Sequence, residues 1–429
     1  MSAPADRPPS VDKLARSIAD VGLPHPMLID AARAAIAAGN PDSARTIAIA
    51  TSRRMLRPVI NATGTILHTN LGRAPMAWEQ PERYTNLELD LTTGQRGSRM
   101  ATAGALIARA CGAEDAIVVN NCAAAVLLGL GGLAEGRDVV VSRSELVEIG
   151  GGFRIPDVMA RSGANLLEVG TTNRTRVDDF RRAVDDPDND VAVVLRVHQS
   201  NYTIVGFTEA PTTAQLAGLN APLVADIGSG LLDSRCPWLK GDPPGWLADE
   251  PAARQTLDGG AGLVMFSGDK LFGGPQAGII AGNAELVRKC AAHPLARALR
   301  PGSLVLAALQ ATALAYLAED GDAIPFWRMA SLTVDQLRER ADAYRVGEIV
   351  DVMSTPGGGT LPGVEIPSVG VAVEGDQREA LRGLDHPIIA RVDHGDSSAG
   401  EMTVLDLRTI HPDDDEVVAG ALRSLTSAT

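Results

Sequence analysis

The stretch Phe266-Ser267-Gly268-Asp269-Lys270-Leu271-Phe272-Gly273-Gly274-Pro275 sets a single lysine in a glycine-rich turn, directly after the apolar run 262–266. A partly desolvated amine can lose its proton there and attack an aldehyde, forming a Schiff base. The flanking glycines admit a ligand close to the backbone. Taken alone, the Ser-x-x-Lys spacing fits a surface lysine in a strand-to-helix loop better, because so short a motif recurs by chance. Two further segments bear on the choice. Asn120-Asn121-Cys122-Ala123-Ala124-Ala125 follows the apolar run 117–119 and opens an apolar helix. Free amides and the helix dipole hold an anion at such a place, although plain capping by asparagine also accounts for it. Asp226 ends the run 223–225 and enters Ile227-Gly228-Ser229-Gly230. A carboxylate there can pair with a protonated ring nitrogen, or simply form a turn before glycine.

An aldehyde-binding lysine, an anion site and a carboxylate for a ring nitrogen match the needs of pyridoxal phosphate (PLP). The lysine segment resembles that of PLP enzymes with the aspartate-aminotransferase fold. On that reading Lys270 and Asp226 are catalytic, and Asn121, Cys122, Ala123 and Ser267 contact the cofactor. His198 or Asn201, after the run 191–197, would meet the cofactor's phenolic oxygen or the substrate. The stretch 142–146, where relatives of the fold stack a ring on the cofactor, holds no aromatic residue or histidine, so no stacking residue is assigned. Arg73, Arg96, Arg99, Arg297 and Arg300 lie in glycine-rich or turn-rich contexts and suit an oxyanion through paired donors.

These residues need a sheet to hold them. Between about 110 and 285 short β-branched runs alternate with helical stretches, with strands expected at 116–119, 138–141, 165–169, 191–197, 223–225 and 263–266. That pattern predicts an α/β fold with a mainly parallel sheet covered by helices on both faces, and ligands at the carboxyl ends of its strands. Residues 11–55 read as three short helices broken near Pro24 and Pro26 and at 39–42. Beyond Arg300, helices at 303–319, 324–345, 376–384 and 414–425 mix with strands at 349–353, 366–373, 388–392 and 402–406. The expected domains are therefore a helical 1–57, a large 58–300 and a small α+β 301–429.

At 429 residues, with 45% hydrophobic and 21% charged residues, the chain reads as a soluble protein of two or three domains. No run approaches the ~18 apolar residues of a membrane span, and the first nine residues read as a short disordered lead without an apolar signal core. Four widely spaced cysteines with no CxxC pair point to the cytoplasm and away from zinc, and no metal is expected. The net charge of −14 argues against a generic nucleic-acid binder. Residues 1–57 nevertheless carry eight basic against five acidic side chains, a surplus of +3 that leaves −17 on the rest. That asymmetry fits an RNA contact confined to the head, and fits chance nearly as well.

Longer runs resemble bacterial selenocysteine synthase, the L-seryl-tRNA(Sec) selenium transferase family. They include Pro9-Ser10-Val11-Asp12-Lys13-Leu14, Val59–Gly64 continuing to Arg73, Glu145–Gly151 with Phe153–Asp157, Glu168–Thr175, Ser200-Asn201-Tyr202 with Val205–Thr208, the lysine segment, and Gly357–Gly363. The resemblance implies a PLP fold-type-I enzyme with an RNA-contacting N-terminal domain, assembled as a ring of dimers (a decamer). It implies that Lys270 carries the cofactor and that Arg73, Arg297 and Arg300 lie near the selenium donor. Serine esterified to tRNA(Sec) would lose its β-hydroxyl to give aminoacrylyl-tRNA, which takes selenium from selenophosphate. A PLP lyase or transferase acting on a free amino acid or amino sugar is the alternative on the same fold. The chain departs from the family's usual pattern at Met100-Ala101-Thr102, at Pro301-Gly302-Ser303 and at Cys122, where an asparagine often stands.

Overall fold

A computed structural model describes residues 10–150, 152–393 and 400–427; the lead at 1–9 lies outside them. The chain divides into two compact units, Met1–Ile60 with Leu384–Pro387, and Asn61–Gly383 with Ile388–Thr429. The expected segments 58–300 and 301–429 thus share the second unit, apart from residues 58–60 and 384–387.

In the first unit three helices, α1 (Val11–Ser17), α2 (His25–Ala37) and α3 (Ala44–Arg53), pack around a small alanine-rich core. Ser10 caps α1 by accepting from the Lys13 amide, and Pro26 sits inside the first turn of α2, where its missing N–H costs nothing. Asp20 and Arg45 pair through both carboxylate oxygens at 2.8 Å.

In the second unit β1 (Thr65–Leu67) is followed by α4 (Ala103–Cys111), β2 (Asp115–Val119), α5 (Cys122–Ala134), β3 (Asp138–Ser142), β4 (Asn165–Val169), β5 (Val191–Val197), β6 (Leu223–Gly228), β7 (Leu263–Ser267) and β8 (Gly278–Gly282). Seven of these strands form one sheet in the order β2-β8-β7-β6-β5-β3-β4. Neighbours pair in parallel except at β8, which runs antiparallel to both β2 and β7. Both faces are covered: along β7, Val264 and Phe266 enter one apolar cluster while Leu263 and Met265 enter the other. The six expected strands are present. β8 is an addition to them, because an Ile-Ile-Ala core between two glycines reads as a turn as readily as a strand.

Residues 301–427 begin with α6 (Ser303–Leu317). The helix expected over 324–345 is two helices, Pro325–Ala330 and α7 (Val334–Tyr344), because Thr333 caps the second with its own hydroxyl. A second sheet runs β11-β12-β10-β9-β1, from β9 (Glu348–Gly357), β10 (Ile366–Glu374), β11 (Arg391–Asp393) and β12 (Met402–Asp406). Its parallel pairing of β9 with β1 carries the glycine-rich loop 357–363 to the lysine turn.

Candidate active site

The parallel strands deliver their carboxyl ends to one edge, as such sheets do. Val197 pairs with Asp226, and Asp226 with Met265, so His198, Asp226 and the turn after Ser267 lie on adjacent strand ends. Lys270 is buried, and its amine donates to the Gly359 carbonyl at 2.7 Å. That carbonyl belongs to the loop 357–363, where Gly359 has φ +78°, a left-handed conformation suited to glycine. The turn is braced from behind. The Leu271 amide donates to the Ser229 carbonyl at 2.8 Å, and the Tyr316 hydroxyl on α6 lies 3.1 and 2.9 Å from the carbonyls of Leu271 and Phe272. Tyr316 in turn accepts from the Trp327 indole at 2.7 Å.

Asp226 is buried beside this lysine. Burial drives its carboxyl above the ordinary range, against the pull of the Lys270 ammonium, the Cys122 thiol and the Gly228 amide. The Cys122 thiol donates to Asp226 Oδ1 at 3.6 Å, and burial, with the Asp226 charge, pushes that thiol well up. Cys122 opens α5. Asn121 caps the helix, its side chain accepting from the Ala124 amide at 2.9 Å, while its carbonyl accepts from Ala125. Of the four donors a helix start leaves over, the Ala124 amide is taken by the cap, and those of Cys122 and Ala123 are among the three left. Ser267 ends β7 and is buried, and its influence on the Cys122 thiol opposes the upward shift. The Ser229 hydroxyl, fully buried, has no hydrogen-bond partner among the described residues.

The remaining candidates divide. Arg73 pairs with Asp269 at 2.8 Å, next to Lys270. Arg96, Arg99 and Arg300 converge on Glu88, whose carboxyl the Arg99 bond holds below its ordinary range. Arg297 is exposed, on a short helix Leu295–Ala298. Asn201 is exposed and donates to the Glu148 carbonyl at 2.9 Å. The backbone of His198 donates to the Asp226 carbonyl at 2.8 Å, and its ring lies 3.4 Å from Glu250. His198, Glu145, Glu250 and Asp226 line a cavity of about 600 Å³ together with Trp246 and Pro362. Glu145 is buried there, and loss of solvent raises its carboxyl to about 7 despite Arg196 and the Val197 amide. Glu88 and Glu250 carry no local sequence signal, whereas Asp269, Glu145 and Gly359 lie in runs that carry the family resemblance without marking them as site residues. Among the described residues no group of three or more His, Cys, Asp or Glu is placed to hold a metal, and no helix is long and apolar enough to cross a membrane.

The L-seryl-tRNA selenium transferase family model matches residues 59–411. The chain belongs to that family. An L-seryl-tRNA(Sec) selenium transferase of Moorella thermoacetica is 44% identical over 402 residues, covering 86% of this chain and 82% of its own. One from Hyphomonas neptunium is 44% identical over 401 residues, covering 87% and 83%. Among solved structures, that of D-glucosaminate-6-phosphate ammonia-lyase superposes with a TM-score of 0.58 at 20% identity, over 87% of this chain and 96% of the other, a likeness of fold.

The PLP cofactor of this selenium transferase family fits the residues present. A buried amine, two free amides at a helix start and a buried carboxylate supply partners for an aldehyde, a phosphate and a basic ring nitrogen. The backbone leaves room only for glycine at the rim: a Cβ on Gly278 would stand 2.0 Å from the Asn121 carbonyl.

Proposed function

We propose that this chain converts L-seryl-tRNA(Sec) to L-selenocysteinyl-tRNA(Sec), with PLP as cofactor and selenophosphate as selenium donor. The observation that carries the chemistry is a buried lysine amine in the same strand-end site as a buried carboxylate and an open helix start. PLP, when bound, supplies an aldehyde for the amino group and a ring that takes up the electron pair left at the α-carbon.

The protein's part is binding and proton handling. Lys270 would hold the cofactor at rest, take the α-proton once the substrate amine has replaced it, and return a proton later. Asp226, which resists ionisation when alone, gains a partner in a protonated ring nitrogen and so keeps the proton there. The amides of Cys122 and Ala123 and the dipole of α5 would hold the phosphate. Arg73, and the group formed by Arg96, Arg99 and Arg300, would hold the tetrahedral donor by paired bonds. The serine β-carbon loses hydroxide and gains selenium; the phosphorus gains oxygen from water and leaves as phosphate. The ester linking serine to RNA assists, because an ester acidifies the α-proton more than a carboxylate does. The helical first unit, with its basic surplus, is the proposed tRNA contact, and a dimer-based ring in the cytoplasm is the proposed assembly.

The test is the visible spectrum of the PLP-loaded protein, titrated separately with free L-serine and with seryl-tRNA(Sec), with Lys270→Ala as the blank. Perturbation of the cofactor band by the charged tRNA alone is expected. A response to free serine or an amino sugar, with none to the charged tRNA, would assign the chain to small-molecule chemistry instead.

A further inference from the structure

Arg96, Arg99 and Arg300 do not stand open to an incoming anion. Arg99 Nε lies 2.9 Å from Glu88 Oε1, Arg300 lies 3.3 Å from the same oxygen, and Arg96 reaches Oε2 at 2.9 Å. The cluster adjoins the cofactor end of the sheet, because the Asn120 amide donates to the Leu299 carbonyl at 3.1 Å.

Glu88 is held by its backbone. Its carbonyl accepts from the Gly97 amide at 2.9 Å, Leu89 bridges Arg96, and Asp90 closes the turn by accepting from the Thr92 amide at 2.8 Å. Arg99 is fixed at a second point by the Pro301 carbonyl, 3.0 Å away. The Glu88 side chain keeps 25% of its surface in solvent, so it can turn outward while the hairpin beneath it stays. One carboxylate against three guanidiniums leaves two positive charges uncompensated.

We propose that Glu88 is an internal counter-ion occupying the oxyanion seat of Arg99 and Arg300. A tetrahedral dianion displaces it, and it returns as phosphate leaves. This rests on the reading above only in taking these arginines as the donor site. A dianion outbids a monoanion for the surplus charge, whereas chloride or a carboxylate gains nothing by exchange. A tethered competitor is also always at hand, so the product is released without a separate opening step.

The experiment is calorimetric titration of the PLP-loaded full-length protein with inorganic phosphate, for the parent, Glu88→Gln and Arg300→Ala. The cofactor's own phosphate fills the helix-start site, leaving the arginines to report. Glu88→Gln should bind phosphate ~3-fold tighter or more, with product inhibition appearing at correspondingly lower phosphate, and Arg300→Ala should bind more weakly. Weaker binding by Glu88→Gln, with Arg300→Ala also weaker, would overturn the proposal: Glu88 then aligns the arginines, and the donor site stands. Unchanged binding in Arg300→Ala would remove the donor site and the counter-ion together. Should Glu88→Gln fail to fold, Glu88→Asp, which is one methylene too short to reach Arg300, carries the same expectation of tighter binding.

Discussion

Asp226, near the end of β6, and Glu145, in the turn after β3, are both buried carboxyls with β5 between their strands, and their surroundings set them different tasks. Asp226 has Lys270, the Cys122 thiol and the Gly228 amide to support its charge. Replacing it with asparagine removes the group that keeps a proton on the ring nitrogen; kcat should fall about 10²-fold or more while the cofactor stays bound. Single-turnover kinetics beside a cofactor-binding titration separate the two effects. Glu145 has less help and titrates at about 7 in the fold, against about 4.5 when unfolded. Its native pKa is raised, so the stabilising protonated form is fully present below about 4.5 and is lost as pH climbs to about 7. Stability should therefore decline across that window, by about 3 kcal/mol from this group alone, and level off above it. Denaturant titrations at several pH values should show the decline flattened in Glu145→Gln, whose amide oxygen can still accept from Val197. At this scale the sequence was legible where an apolar strand run gives way to a turn or a helix start carrying a reactive residue, as at Lys270, Asp226 and Cys122. It was silent where a side chain acquires its surroundings from distant segments: Glu88 lies in Asn86-Leu87-Glu88-Leu89-Asp90, which has no chemical signature, yet it gathers arginines from positions 96, 99 and 300.

Elements hold the site through two close fits, and each makes a prediction. β8 passes so near the start of α5 that Gly278→Ala would drive a methyl into the Asn121 carbonyl at 2.0 Å. Backbone has to shift on one side or the other, so stability should drop by about 2 kcal/mol or more. Because the helix start moves, cofactor affinity should drop with it; thermal melts of apo and PLP-loaded protein measure both. The second fit is aromatic. Although aromatics are only 3% of the chain, Trp238, Phe266, Phe272, Tyr316, Phe326 and Trp327 form one connected cluster behind the lysine turn. Tyr316→Phe leaves the Trp327 indole and two carbonyls without their shared hydroxyl and should cost about 1–3 kcal/mol, with faster hydrogen exchange at Leu271 and Gly273. The parallel strands could be read from sequence because a strand covered by helices on both faces needs an unbroken β-branched run, with no polar residue at alternate positions. β8 and the aromatic cluster could not. One is a glycine-bounded strand, and the other draws on residues spread from 238 to 327 with no period linking them.

At the scale of the whole molecule, charge is the property the sequence makes plainest and chemistry uses last. A substrate carried on RNA must be held by a protein of net charge −14, so the phosphate contacts have to be local. The first unit has its own core around Ala15, Leu28, Ala32 and Ala48 and presents Lys13, Arg33 and Arg54 on its surface. Its proposed role then has a quantitative consequence. Phosphate contacts release counterions, so log affinity falls with log salt in proportion to their number, about 0.7–0.9 per contact. Changing Lys13, Arg33 and Arg54 together to alanine should weaken seryl-tRNA(Sec) binding and reduce the salt slope by about 2–3. The spectrum of the PLP-loaded protein without tRNA should not change, because none of the three belongs to the strand-end site. Filter binding at four salt concentrations measures the slope directly. A slope equal to the parent's would mean that the RNA is gripped by the acidic unit through hydrogen bonding and shape, and the basic surplus of the head would then be incidental.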